Sequence, residues 1–301
     1  MSRIVSLLLL ASVVQCVIVL ALYWSQSTET GQPPDSVTQL LVPPIATEVD
    51  EIIISDEHGN EAVLSKRGDS WVLPELGNLP ADSAKVEMQL NFLEGEQIGW
   101  PVASSVAARQ RFQVANYHFQ RRVTLMADGK ELVVLYLGTS PSFRKVHARL
   151  GGQDAIYSIG LSVFDIPGED EKWLDRRLLQ VRTPTRIVAD GYSLTREGDQ
   201  WVSGIGKIPD ARELEALLSS LRSLQVEGIA NADLQRDLAG AEARMVLKVE
   251  SLAGETTLEI FSIEGEPFIY SSEYALFFRL SDYDYDRFTS IDARLLEQAS
   301  G

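Results

Sequence analysis

The chain has 301 residues, of which 45% are hydrophobic and 23% are charged, which predicts a folded protein with room for about two domains. Its 43 acidic residues outnumber its 27 basic residues and give a formal net charge of −16. This excess argues against nucleic acid as a partner, because phosphate backbones are bound through basic faces. The single cysteine, Cys16, excludes an internal disulfide bond and a zinc site built on cysteines.

The first predicted element is a membrane segment. Residues 4–24 form an uncharged run of 21 residues, and a helix needs about 20 apolar residues to cross a bilayer. Tyr23 and Trp24 end the run, where aromatic rings favour the membrane interface. Arg3 precedes the run and no Lys or Arg occurs in the next 30 residues. The positive-inside rule therefore predicts a single-pass protein of the bacterial inner membrane, with a cytoplasmic N-terminus and the bulk of the chain in the periplasm.

Two other interpretations of this segment stay open. A cleaved signal peptide would have an apolar region of about 7–15 residues, shorter than the run observed here. A lipoprotein would be processed at Cys16, but Gln15 occupies the preceding position, where processing requires a small residue. The next residues are rich in Ser, Thr, Gln, Gly and Pro, and this composition predicts a flexible tether over residues 25–48.

The remainder of the chain contains an internal repeat. LSKRGDSWV at residues 64–72 matches LTREGDQWV at residues 194–202, and DRRLL at residues 175–179 matches DARLL at residues 292–296. The repeat predicts two α+β units, residues 49–181 and residues 182–301, after the cytoplasmic tip and transmembrane helix of residues 1–24. Trp71 and Trp201 occupy the same position of an alternating strand, which predicts that both fill the core.

Within each unit, the predicted strands flank one amphipathic helix capped by an aspartate, Asp82 or Asp210. The fold class is therefore predicted as α+β, with two tandem repeats, each an antiparallel sheet or meander with one main helix, behind the transmembrane helix. The predicted strands of the first unit are residues 51–55, 62–66, the segment at Trp71, 122–126, 132–137, 146–149 and 155–158. Those of the second unit are residues 186–189, 193–196, the segment at Trp201, 245–249, 257–261, 268–270 and 276–279.

Four motifs connect the sequence to a known family. GDSWVL at residues 68–73, LPAD at 79–82, YLG at 136–138 and WLDRRLL at 173–179 resemble the bacterial domain-of-unknown-function family 4340, here in two copies behind a membrane anchor. The family has no catalytic residues to transfer. Its context is similar to that of accessory proteins encoded beside ABC-type transporters of the gliding-motility or auxiliary-transport kind. The resemblance therefore implies an accessory protein with integral membrane partners.

The sequence contains one notable basic cluster, which either forms internal salt bridges or meets an acidic partner or phospholipid head groups. Together with an exposed tryptophan it is the predicted interaction surface, made of Arg109, Arg111, Arg121, Arg122, Arg144, Lys145 and Trp100. The three histidines have no partner at the spacing of a triad or a metal site. Asp282, Asp284 and Asp286 are interpreted as a solvated acidic helix start, because the Gly and Glu of a calcium loop are missing.

The leading functional prediction is a non-enzymatic accessory or scaffold subunit that binds the permease or ATPase subunits of an ABC-type transporter. No catalytic residue, metal ligand or cofactor is predicted, and an enzyme is the least supported function because no acid–base or nucleophile set is visible. The alternative prediction is a periplasmic module that binds a ligand in the cleft between the two repeats.

Overall fold

The computed structural model describes Gln15 and residues 39–297, which form an α+β fold with antiparallel sheets, as predicted. Residues 39–181 contain one eight-stranded sheet, two short strand pairs and two α-helices. In chain order the strands are β1 (Gln39–Leu40), β2 (Glu51–Asp56), β3 (Glu61–Arg67), β4 (Ser70–Leu73), β5 (Leu79–Pro80), β6 (Gln97–Ile98), β7 (Val114–Ala115), β8 (His118–Phe119), β9 (Arg121–Ala127), β10 (Lys130–Leu137), β11 (Val146–Leu150) and β12 (Tyr157–Ile159). The helices are α1 (Ser83–Gly95) and α2 (Val106–Arg111).

The second half contains another eight-stranded antiparallel sheet. Its strands are β13 (Pro184–Ala189), β14 (Tyr192–Glu197), β15 (Gln200–Ser203), β16 (Val226–Ile229), β17 (Met245–Ser251), β18 (Gly254–Ile263), β19 (Glu266–Ser271) and β20 (Leu276–Leu280). Its helices are α3 (Ala211–Ser223), α4 (Ala232–Ala239), α5 (Asp282–Thr289) and α6 (Ala293–Glu297).

Seven strands have equivalent places in the two sheets. Sheet 1 has the order β12-β11-β10-β9-β2-β3-β4-β5, and sheet 2 has the order β16-β20-β19-β18-β17-β13-β14-β15. Strands β12 to β4 of the first order therefore correspond to β20 to β15 of the second. The turn that precedes each matched tryptophan is also the same, because Gly68 and Gly198 have φ angles of 61° and 62°, which disfavour any residue with a Cβ.

The predicted helix starts are confirmed. The Asp82 carboxylate accepts a hydrogen bond from the Lys85 backbone amide at 3.2 Å, and the Asp210 carboxylate accepts one from the Glu213 amide at 3.1 Å. Each cap satisfies one of the amides that a helix N-terminus leaves without an intrahelical partner. The apolar faces of α1 and α3 pack on the core sides of their sheets and bury Val86, Leu90, Leu93, Leu217 and Leu221.

The two matched tryptophans differ in burial. Trp71 is 1% exposed and lies in the main core, as predicted. Trp201 is only half-buried and packs against the edge of the same core. The next inward position explains part of this difference, since Leu73 of β4 is replaced by Ser203 in β15 and presents less apolar surface to pack on.

Each sheet has an outward face, opposite the main core, that is covered by a segment of the chain. On sheet 1 this segment is residues 99–120, which we call the excursion and which contains α2 and the β7–β8 hairpin. It covers an apolar cluster that contains Val114, Val134, Tyr136 and Ile156. On sheet 2, α4 covers a cluster that contains Leu238 and three phenylalanines. The prediction of one main helix per unit is therefore incomplete, because α2 and α4 are additional helices that cover the outward faces.

The N-terminal predictions fall mostly outside the described residues. The predicted transmembrane run, residues 4–24, lies outside them except for Gln15. Among the described helices, none is long and apolar enough to cross a membrane. The last part of the predicted tether differs from a flexible linker, because β1 pairs with β6 and the next residues, Leu41 and Val42, are buried in the main core.

Candidate functional site

The predicted basic cluster does not form one contact set. Arg121 and Arg122 are consecutive on β9, so their side chains lie on opposite faces of sheet 1. On the core side, Arg121 Nε donates a hydrogen bond to the Ile166 carbonyl at 2.9 Å. On the outward side, an Arg122 guanidinium nitrogen lies 3.6 Å from a carboxylate oxygen of Glu131.

Four other members of the predicted surface are exposed. Arg144 and Lys145 lie in the loop between β10 and β11, and Arg111 ends α2 with its guanidinium 5.6 Å from the Phe112 ring centroid. Trp100 precedes α2 and has 88% of its surface exposed. Of the predicted residues, Arg109 and Arg122 are the two that contribute to the more organised arrangement on the outward face.

One part of this arrangement is a row of three side chains across neighbouring strands, and the other is a pocket that Arg109 lines. Tyr136 of β10 is in register with Arg122 of β9 on one side and with Arg149 of β11 on the other. The Arg149 guanidinium carbon lies 4.6 Å from the Tyr136 ring centroid, a distance at which the ring attracts a cation. Arg149 was not predicted as a site residue, because its place beside Tyr136 depends on strand register.

Arg149 is 5% exposed, which is unusual for a charged side chain. Its Nε donates to the Val114 carbonyl at 2.6 Å, and its Nη1 donates to the carbonyls of Leu150 and Gln153 at 3.1 and 2.9 Å. Within residues 39–297, no acceptor is hydrogen-bonded to its Nη2. Burial, followed by repulsion from Arg109, lowers the pKa of Arg149 below its usual value. Arg149 thus fixes the β7–β8 hairpin on the sheet while keeping one edge of its guanidinium unbonded.

Arg149 lines a pocket of about 310 Å³ on the outward face of sheet 1, which we call the arginine pocket. Arg109 of α2 lies on the same pocket, and its Nη2 is 2.5 Å from a carboxylate oxygen of Asp154. The Arg109 Nε atom is buried and has no hydrogen-bond acceptor among the described residues. The pocket is lined chiefly by Val106, Arg109, Tyr117, Tyr136, Arg149 and Asp154.

Several large apolar side chains of the excursion that covers sheet 1 are exposed. Trp100, Val102, Val106 and Tyr117 have between 50% and 88% of their surface exposed. All four belong to the excursion of residues 99–120, and Val106 and Tyr117 also line the arginine pocket. We call these four residues the exposed patch.

A close backbone contact holds the excursion against the sheet. Gly138 follows β10, and a Cβ at this position would overlap the carbonyl oxygen of Phe112. Next to it, the Thr139 amide donates to that same carbonyl at 2.9 Å, and the Phe112 ring stacks on the buried His147 at 4.1 Å. The glycine of the YLG motif therefore permits the excursion to approach the sheet.

A second concave region lies where the two halves of the chain meet. Two pockets of about 410 and 310 Å³ share Arg176 and Gln225, and together they form what we call the junction groove. Backbone hydrogen bonds close the junction, including one from the Val226 amide to the Arg176 carbonyl at 2.8 Å. The larger pocket also contains Asp284 and Arg287 of α5.

The groove corrects one prediction. Residues 282–286 do begin a helix, since the Ser281 hydroxyl accepts a hydrogen bond from the Asp284 amide at 3.1 Å. However, Asp284 is 6% exposed and is not solvated as predicted. Its carboxylate lies 3.7 Å from Arg287, which also donates hydrogen bonds to Ser219 and Ser223 of α3. Within residues 39–297, no three carboxylate or histidine groups are arranged to hold a metal ion.

Comparison with known proteins gives one result. A family model described as "Domain of unknown function (DUF4340)" matches residues 71–241, which is more than half of the chain. The matched segment begins at Trp71 in sheet 1 and ends just beyond α4 on sheet 2. No curated protein and no solved structure matches the sequence.

Proposed function

The chain belongs to the DUF4340 family, and we propose that it is a non-enzymatic accessory subunit that binds an ABC-type transport complex. In this proposal, residues 4–24 anchor the chain in the bacterial inner membrane and the remainder lies in the periplasm. The two sheets are proposed to be two copies of the family domain. The repeated sequence of residues 64–72 and 194–202, together with the common strand order, supports this duplication.

The observation that carries the proposal is the exposed patch. Scattered single apolar residues on a surface need no explanation, but a group of them is typical of a protein interface. Tryptophan, tyrosine and arginine are also the residues that contribute most binding energy at interfaces. Trp100 and Tyr117 are 88% and 70% exposed, and Arg109 lines the arginine pocket together with Tyr117. The patch therefore has the composition of a protein-binding site.

Co-purification of the full-length protein from membranes tests the proposal. The full-length protein would be tagged, expressed at its native level and extracted in a mild detergent. The untagged proteins that co-purify with it would be quantified by mass spectrometry. The wild-type protein is expected to retain permease and ATPase subunits of an ABC-type transporter in stoichiometric amount. A double variant, Trp100→Ala with Tyr117→Ala, is expected to lose at least about tenfold of this material, since truncating an interface anchor costs about 2 kcal/mol or more.

Leu252→Ala is the matched control for this experiment. Leu252 is 85% exposed in the turn between β17 and β18, so its truncation removes a comparable apolar group outside the patch. The control is expected to retain the transporter subunits. Recovery of the wild-type protein alone in several mild detergents would contradict the proposed function.

A second candidate function, a ligand-binding module, is favoured by the junction groove. The groove lies between the two halves of the chain and is lined by polar and basic side chains, including Arg176 and Arg287. A ligand that binds only the folded state raises its stability by about 2.7 kcal/mol at 100 times its Kd. A periplasmic small-molecule extract is therefore expected to raise the Tm of the full-length protein, and Arg176→Gln to abolish the increase. No increase in Tm would remove this candidate.

A further inference from the structure

The arginine pocket contains a positive charge that its surroundings do not neutralise. Arg149 is 95% buried, and the atoms that accept its hydrogen bonds are backbone carbonyls, which carry no net charge. A buried cation is costly unless an anion is close to it. Asp154 lines the same pocket, but it already pairs with Arg109 at 2.5 Å. Two arginines and one aspartate leave one positive charge in excess.

A buried hydrogen-bond donor is also left unused at this place. The Nε atom of Arg109 is buried and has no acceptor among residues 39–297. Buried donors in folded proteins almost always have a partner, so this unpaired guanidinium donor on the pocket indicates a missing acceptor. The Nη2 atom of Arg149, whose other hydrogen bonds come from Nε and Nη1, is available as a second donor. Guanidinium groups match the planar, two-oxygen geometry of a carboxylate.

From this arrangement we propose that the arginine pocket binds a monoanionic carboxylate attached to an apolar or aromatic body. The single excess charge selects a monoanion over a dianion. Val106, Tyr117 and Tyr136 are the apolar and aromatic part of a lining that is otherwise mainly polar, and they would contact the body of the ligand. Its volume of about 310 Å³ lies at the lower end of the range for small-ligand sites, about 300–1,000 Å³. This site goes beyond the proposed function, because it assigns a ligand chemistry to a pocket that shares Val106 and Tyr117 with the exposed patch.

The carboxylate can come from a free organic acid or from an acidic side chain of another protein. The probe for the first source is 4-fluorobenzoate, observed by fluorine NMR line broadening with full-length protein in detergent micelles. Its neutral isostere, 4-fluorobenzamide, reports partition into the micelle. For the second source, the competitor is a blocked short peptide with one Glu beside Phe, and the same peptide with Gln is its control.

Two variants of the Arg109–Asp154 pair move the affinity in opposite directions. Arg109→Gln removes one cation and is expected to weaken 4-fluorobenzoate binding at least about tenfold. Asp154→Asn removes the internal anion that competes for Arg109 and is expected to strengthen binding several-fold. Neither side chain is the one that fixes the β7–β8 hairpin. The control is Arg236→Gln, which breaks an exposed arginine–aspartate pair on α4 and is expected to leave binding unchanged.

Binding of 4-fluorobenzoate with this pattern of variants would support the site. Displacement of the probe by the Glu peptide and not by the Gln peptide would additionally assign the carboxylate to a protein chain. No broadening above that of the benzamide, or equal affinity in the wild type and in Arg109→Gln, would overturn the proposal. Because no transporter is present in this experiment, its failure would leave the co-purification result unaffected, and the two proposals fail separately.

Discussion

Replacement of the two matched tryptophans is expected to have unequal effects. Trp71 is 1% exposed and is surrounded by the main core, so Trp71→Ala is expected to lower the free energy of unfolding by about 3–5 kcal/mol. Trp201 is only half-buried at the edge of that core. Trp201→Ala is therefore expected to cost less than about 2 kcal/mol, because less apolar surface is removed from water in the folded state.

A third substitution separates packing from hydrogen bonding. The indole Nε1 of Trp71 is buried and has no hydrogen-bond partner among the described residues. An unpaired buried donor costs about 1–3 kcal/mol. Trp71→Phe removes this donor together with part of the ring, so the two effects oppose each other. The expected loss is below about 2 kcal/mol, well under that of Trp71→Ala.

Hydrogen exchange with mass spectrometry, measured over a urea series, reports the free energy of unfolding separately for peptides of sheet 1 and sheet 2. Trp71→Ala should weaken protection mainly in β2, β3 and β4, and Trp201→Ala in β13, β14 and β15. An equal or smaller cost of Trp71→Ala than of Trp201→Ala would refute the assignment of burial on which the argument rests.

Three further predictions concern the excursion, the pH dependence and the topology. Gly138→Ala would place a Cβ against the Phe112 carbonyl. Relative to the wild-type protein, this variant is expected to accelerate hydrogen exchange more in residues 106–119 than in sheet 2. Burial alone raises the pKa of Asp56, but hydrogen bonds from the Asn60 side chain and from neighbouring amides outweigh it and keep the pKa below 3.8. Ionised Asp56 therefore stabilises the fold above about pH 4, and this contribution is lost as the pH falls through the lowered pKa. Asp56→Asn should remove the contribution, so the free energy of unfolding of this variant should depend less on pH on the acid side. A reporter fused after Gly301 should be active in the periplasm, whereas activity of a cytoplasmic reporter there would contradict the predicted topology.

The regular parts of the fold could be predicted because their signals are local. Strands β2, β3, β9 and β10 have alternating or apolar sequences, and each Gly-Asp turn between matched strands has a glycine with positive φ. The caps of α1 and α3 follow from one aspartate each. Helix α4 also has local signals in the sequence, since Asn231 caps it and Leu234 and Leu238 have helical spacing.

The arrangement around the arginine pocket could not be predicted in the same way. Arg149 meets Tyr136 because β10 and β11 pair across an eight-residue loop, and no local pattern determines that register. The predicted basic residues were grouped by their closeness in sequence. In the structure, the side chains of Arg121 and Arg122 lie on opposite faces of sheet 1, because consecutive residues of a strand face opposite sides of a sheet. Likewise, Asp284 is buried by the packing of α5 on α3, which its acidic sequence context does not indicate.

Site-specific photocrosslinking in living cells tests the central claim most directly. The variant Tyr117→benzoylphenylalanine places a reactive group in the exposed patch, and Leu252→benzoylphenylalanine places the same group on an exposed turn of sheet 2, outside the patch. Irradiation is predicted to link position 117, and not position 252, to the permease subunit of an ABC-type transporter. The absence of such a product at position 117, or an equal yield at position 252, would contradict the claim that this patch binds a transport complex.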